Sequence, residues 1–157
     1  MIPPRWVLRI GWAIDKTVSR LSGGRLVMPN GSRGALSTLY LNTVGRTSGK
    51  PRRNGLYYLE DDADLVVIAS NAGEQMDPAW LRNLRADPRA EVELGTSRRS
   101  VLARVASPAE AGRLYERFVT AMPVYDEYRQ RVRRDIPVVI LEPTKGGRPA
   151  RSGSGRG

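Results

Sequence analysis

The chain has 157 residues, 40% of them hydrophobic, and a formal net charge of +10, which suits one domain with its own core. It contains no Cys and no His, which excludes disulfides, thiolate nucleophiles, Cys-type zinc sites and the imidazole on which most acid–base and triad chemistry relies. Chemistry must then rest on a bound cofactor, on Tyr, Ser or carboxylates, or on backbone dipoles.

A charge of this size first suggests nucleic acid, but its placement argues otherwise. Residues 1–33 carry six cations against one acid, and residues 143–157 carry four cations and no acid, so the 109 residues between them are nearly neutral. A nucleic-acid-binding face needs its excess within the fold, and no nucleic-acid partner is expected. No apolar run approaches the ~20 residues that span a bilayer. The N-terminus has no continuous apolar signal region, so the expected address is cytoplasmic.

Residues 4–21 read as an amphipathic helix. Pro3 and Pro4 suit its start, and Val7, Ile10, Ile14, Val18 and Leu21 share one stripe. Arg5, Arg9, Lys16 and Arg20 lie off that stripe. Such a helix either rests on an anionic membrane surface or packs on the domain or on a second copy of the chain. Glycines and prolines up to residue 34 read as a linker.

Residues 36–43 form the first expected strand, with Leu39, Leu41 and Thr43 alternating against polar neighbours. The stretch from Leu39 to Arg53, LYLNTVGRTSGKPRR, then runs into a basic loop. Gly45 and Gly49 allow tight turning, and Arg46, Lys50, Arg52 and Arg53 supply charge suited to a phosphate or carboxylate. On residue type alone the loop reads more readily as a solvated basic hairpin turn. Residues 54–59 resume a strand in which Tyr57 and Tyr58 must face opposite sides. Glu60, Asp61, Asp62 and Asp64 read as a solvated acidic hairpin end. Leu65–Ala69 (LVVIA) is a strand buried on both faces, followed by small residues from Ser70 to Gly73 that admit close backbone approach to a planar ligand.

Residues 77–88 (DPAWLRNLRADP) read as a short helix with Asp77 as N-cap. Trp80 and Leu84 share a face, and Asn83 lies one turn after Trp80; Trp80 serves either as a core plug or as a ligand wall. Residues 90–94 and 101–105 make a hairpin whose turn is expected at 95–99, with Arg98 and Arg99 solvated. Ser107 and Glu110 form a capping box opening a helix to about residue 121. A second helix, about 124–134, sets Tyr125, Tyr128 and Val132 on one face. Residues 136–141 close the fold as a buried strand, and 143–157 have the composition of a disordered tail. Six strands with hairpin-like connections suggest a small antiparallel barrel.

Four stretches together resemble the deazaflavin (F420)-dependent nitroreductase family of actinobacteria: LNTVGRTSGKPRRNGLYYL (41–59), LVVIASNAG (65–73), DPAWLRNLRADP (77–88) and PVYDEYRQRVRRDIPVVILEP (123–143). The resemblance covers about residues 39–143. It implies an α+β split β-barrel over residues 35–143, flanked by the N-terminal arm 1–34 and the tail 144–157. It also implies coenzyme F420 as cofactor and hydride transfer to a quinone, a nitro compound or another conjugated hydrophobic acceptor. Arg46, Thr47, Ser48, Lys50, Arg52 and Arg53 would take the acidic tail of the coenzyme. Ser70, Asn71 and Ala72 would lie against its ring, and Trp80 and Asn83 would border it. Tyr57, Tyr125 and Tyr128 would line the acceptor side and, with Ser70, offer hydroxyls to the reaction.

Similar nitroreductases often carry Lys or Arg where Thr47 stands, Lys where Asn71 stands and Tyr where Met122 stands. These departures weaken the expected anion grip and favour quinone-type over nitro reduction. Relatives on such a fold also bind fatty acids or FMN, so a lipid-binding module and an FMN reductase are the alternatives. The expected partners are a small hydrophobic acceptor, a membrane surface through residues 4–21, and a second copy of the chain in a homodimer.

Overall fold

The computed structural model describes residues 36–144. The helix expected over 4–21, its linker and the tail after Thr144 lie outside the described residues. Among the described residues are six strands: β1 (Ser37–Val44), β2 (Pro51–Asp61), β3 (Asp64–Ile68), β4 (Arg89–Leu94), β5 (Ser97–Val105) and β6 (Val138–Pro143). Three helices accompany them: α1 (Ala79–Ala86), α2 (Pro108–Ala121) and α3 (Val124–Arg131). The strands close into a barrel in the order β1-β2-β3-β6-β5-β4, with every neighbouring pair antiparallel. This is the split-barrel class that the sequence implied.

Side-chain alternation sorts the core into two layers. Leu39, Leu41, Leu65, Val67, Val92, Val101, Val139 and Leu141 fill the barrel with Trp80, Leu81 and Leu84 of α1. Val66, Ile68, Val138 and Ile140, on the opposite faces of β3 and β6, pack under α2 and α3 against Leu114, Phe118 and Tyr125. The LVVIA run is thus apolar throughout because both of its faces are covered. Each of these aliphatic side chains contributes about 1.5–3 kcal/mol by leaving water.

Several boundaries differ from expectation, each for a local reason. β2 begins at Pro51, because Val44 and Thr43 pair with Pro51 and Arg52; the basic loop is therefore only the turn from Gly45 to Lys50. The β4–β5 turn is only Gly95 and Thr96, so Arg98 and Arg99 are strand residues opposite Glu93 and Val92. Arg98 is not merely solvated: it pairs with Glu91 at 3.3 Å. Pro78, not Asp77, is the N-cap of α1, because the Asp77 carboxylate is taken by Arg85 and Arg134. The acidic hairpin end is also engaged, since Asp61 accepts from Arg113 and Arg117 of α2. These guanidinium contacts, Arg113 foremost, hold its carboxyl below the usual range. The Ser107 capping box forms as expected.

The antiparallel order decides what meets at each end of the barrel. β1, β3 and β5 run in one direction and β2, β4 and β6 in the other. One end therefore collects the Gly45–Lys50 turn, the exit of β3, the start of β4 after α1, the exit of β5 and the start of β6.

Candidate functional site

The turn after β1 is built on short-range backbone hydrogen bonds. Gly45 N–H donates to Lys50 O at 2.8 Å, and Gly49 N–H donates to Gly45 O at 2.8 Å. A Cβ on Gly45 would meet Ser48 Oγ at 2.6 Å, and Gly49 has φ +67, so both positions need glycine. Ser48 Oγ accepts from Lys50 N–H at 3.2 Å and from Arg52 Nη2 at 3.4 Å. Arg52 lies opposite the buried Thr43 and shares its side of the sheet at the barrel mouth.

Asn83 fastens this turn to α1. Its Oδ1 accepts from both the backbone N–H of Arg46 at 3.2 Å and Arg46 Nη1 at 3.1 Å. Its Nδ2 donates to Thr43 Oγ1 at 3.2 Å, and Asn83 is only 4% exposed. One buried amide thus sets both the backbone and the guanidinium of Arg46. Among the described residues, no carboxylate pairs with Arg46, Lys50 or Arg52. Arg53, one residue on, points to the other face: it pairs with Glu93 at 3.0 Å and stacks 3.5 Å from the Tyr40 ring centre. Glu93 is held below the usual carboxyl range, chiefly by the hydrogen bond from Arg53. The turn therefore presents three unneutralised cations, and Arg53 does not join them.

At the same end, the chain leaves β3 through Ser70 into a short 3-10 turn, Asn71–Gly73. Asn71, Ala72 and Gly73 have φ of 48, 54 and 77, a left-handed run that non-glycine residues adopt only when their surroundings compel it. Asn71 Nδ2 donates to Met76 O at 2.9 Å. Ser70 is buried, whereas Asn71 and Ala72 are exposed.

The tyrosines meet beside this loop. Tyr57 is 46% exposed, while its neighbours Leu56 and Tyr58 pack on the barrel core. Tyr125 is 6% exposed and makes edge contacts with the rings of Phe118 and Tyr128. Burial is the main cause that pushes the Tyr125 and Tyr128 phenols up, and the nearby Tyr57 adds to both shifts. Tyr125 and Tyr128 thus stand edge to face with ring centres 5.6 Å apart, and both phenols keep their protons. Tyr115 is also pushed up, to about 12, by burial, but its hydroxyl donates to Tyr125 O at 2.8 Å and serves the core.

The expected site residues thus fall into two groups at one barrel end. Arg46, Ser48, Lys50 and Arg52 form the cationic turn, with Thr47 exposed in it. Tyr57, Tyr125, Tyr128 and Ser70–Ala72 form the second group. Trp80 stands apart from the tyrosines, 5% exposed among the residues that fill the barrel. Asn83 spends its amide on the turn. Residue spacing did not disclose Arg134, whose guanidinium holds the carbonyls of the Ser70 loop. The sequence held only a weak signal for it, one arginine in a basic run just before the last strand.

Residues 15–143 match the family described as F420H(2)-dependent quinone reductase. Rv3178 of Mycobacterium tuberculosis is 39% identical over 113 residues, covering 72% of this chain and 95% of that protein. A solved F420-H2 dependent reductase (FDR-A) has 31% identity and a TM-score of 0.62, over 67% of this chain and 93% of the other. A second structure, described as a domain-swapped dimer, has 28% identity and a TM-score of 0.63 over 85% of this chain and 99% of that one. With a cationic turn and a tyrosine-lined loop at one end of a split barrel, this chain belongs to the F420H(2)-dependent quinone reductase family and is an F420-dependent oxidoreductase.

Proposed function

We propose that the chain passes reducing equivalents from F420H2 to a quinone-like acceptor, with residues 35–143 as the working domain. The observation that carries this reading is the set of three cations, Arg46, Lys50 and Arg52, held on a fixed turn without carboxylate partners among the described residues. Such a turn suits the phosphate and acidic tail of the coenzyme, and each charge-assisted hydrogen bond to it is worth about 1.5–3 kcal/mol. Thr47 and Asn71 add no charge, so binding rests on these three side chains.

Bound F420H2 supplies hydride, and the chain supplies position and hydrogen bonds. Tyr125 and Tyr128 suit hydrogen-bond donation to an acceptor oxygen, because a phenol ordinarily holds its proton at neutral pH and burial pushes both further up. Tyr57, half exposed beside them, forms the open wall through which an acceptor enters. The exposed backbone of Asn71 and Ala72 leaves room for a flat ring, with Ser70 behind it. Residues 4–21 would bring the barrel to the membrane surface, where apolar quinones concentrate; the apolar stripe of that segment and the four cations off it support this.

The test is a parallel fluorescence titration with F420, FMN and NADPH, followed by turnover of F420H2 with a naphthoquinone. Selective F420 binding and quinone-dependent oxidation are expected. Saturable binding of FMN without F420 would overturn the reading.

A further inference from the structure

We infer that Arg134 is a positioning residue, which sets the Ser70–Gly73 loop against the tyrosine wall. The guanidinium uses all three of its nitrogens. Nη2 donates to Ala69 O at 3.1 Å and to Ser70 O at 3.2 Å. Nε donates to Glu74 O at 3.1 Å, and Nη1 donates to Asp77 Oδ1 at 2.7 Å and to its neighbour Asp135 O at 3.3 Å. The side chain is 16% exposed. Four of these acceptors lie between Ala69 and Asp77, so one rigid planar fork spans both ends of the loop. No other side chain type reaches that many acceptors in one plane.

The fork spans a loop whose internal hydrogen bonds are few: Gly73 N–H donates to Ser70 O at 2.9 Å, Glu74 N–H to Asn71 O at 3.1 Å and Asn71 Nδ2 to Met76 O at 2.9 Å. Asn71 and Ala72 sit in the left-handed region, which asparagine tolerates and alanine avoids. On the far side the same loop abuts α3: a Cβ on Gly73 would meet Tyr128 Cδ1 at 3.0 Å and Arg131 Cδ at 3.2 Å. Gln75 completes the clasp, donating from Nε2 to Arg131 O at 3.1 Å and accepting from Arg133 N–H at 3.0 Å. The loop and the helix bearing Tyr125 and Tyr128 are thus held to one another from two directions. Asp77 keeps Arg85 as a second partner, so losing Arg134 does not leave that carboxylate alone. The loss falls on the carbonyls of Ala69, Ser70 and Glu74. The cationic turn, tied through Asn83, is untouched.

The effect on turnover rests on the reading given under Proposed function; the effect on the loop does not. In Arg134→Ala, amide hydrogen exchange across residues 70–77 of the ligand-free protein should speed at least tenfold, with the barrel strands unchanged. Turnover of F420H2 with a naphthoquinone should fall ten- to a hundredfold, as expected for a small misplacement of reacting groups, while the Kd for F420 changes less than threefold. Arg134→Lys should behave like the alanine variant, since a point charge cannot span the acceptors. Added methylguanidinium should restore part of the rate to Arg134→Ala and none to Arg134→Lys. Unchanged exchange over residues 70–77 in both variants would overturn the proposal. So would equal losses of F420 affinity, turnover and whole-barrel protection, which would make Arg134 a plain stability residue. Faster loop exchange in a protein that binds no F420 would support the role of Arg134 in the loop and defeat the cofactor reading instead.

Discussion

Asn83→Asp separates the charge of the turn from its shape. The substitution exchanges one amide nitrogen for oxygen in a side chain that is 4% exposed. The oxygen facing Arg46 stays in place, within reach of the backbone N–H at 3.2 Å and of Nη1 at 3.1 Å. Thr43 Oγ1, which now accepts from the amide at 3.2 Å, becomes the donor by rotating its hydroxyl. The new carboxylate pays a desolvation penalty, but a guanidinium about 4 Å away returns about 4 kcal/mol at an effective dielectric near 20. Folding stability should therefore shift by no more than about 2 kcal/mol. Affinity for F420 should fall as well, because the ion pair neutralises one of the three cations of the turn that have no carboxylate partner among the described residues. Loss of one charge-assisted contact, about 1.5–3 kcal/mol, weakens binding roughly ten- to 150-fold. Asn83→Ala is the opposite control: it strands the buried Thr43 hydroxyl, at about 1–3 kcal/mol, and releases the Arg46 backbone N–H, yet leaves the Arg46 charge free. Fluorescence titration with F420, alongside thermal melting, distinguishes the two variants. An Asn83→Asp protein that binds F420 within twofold of the parent would refute the assignment of the turn.

Arg46→Ala should weaken F420 binding at least tenfold, whereas Arg98→Ala, which loses pairings with Glu91 and Glu93 on the outer face of the hairpin, should change it less than twofold; equal effects in the same titration would remove the turn from the site. Glu110 gives a pH signature. The Arg104 guanidinium foremost, then the Ser107 backbone N–H, hold its carboxyl at about 2, below the ordinary 4.5. A depressed carboxyl stabilises the fold above its unfolded value, so the advantage of the parent over Glu110→Gln should be full at pH 6. It should shrink as pH falls from about 4.5 towards about 2, and a difference constant across that window in thermal melts would contradict the contact. Removal of residues 1–22 should lower co-sedimentation with anionic liposomes, and an unchanged pelleted fraction would favour packing of that segment on protein.

The sequence alone determined the parts that depend on local pattern. Alternation at Leu39, Leu41 and Thr43, the LVVIA run and the capping box at Ser107 each mark an element by a pattern written within a few residues, and the family motifs supplied the cofactor. It also removed imidazole and thiolate chemistry from consideration by simple absence. Tertiary structure decided which of the basic residues face a ligand. Arg52 and Arg53 are adjacent and chemically alike, yet strand pairing turns one to the barrel mouth and the other onto Glu93 and Tyr40. Asn83 meets Arg46 across 37 residues, and Arg134 meets Ser70 across 64. No spacing rule reaches that far, because those contacts exist only once the antiparallel strand order has brought the turn, the loop and the helices to one end of the barrel.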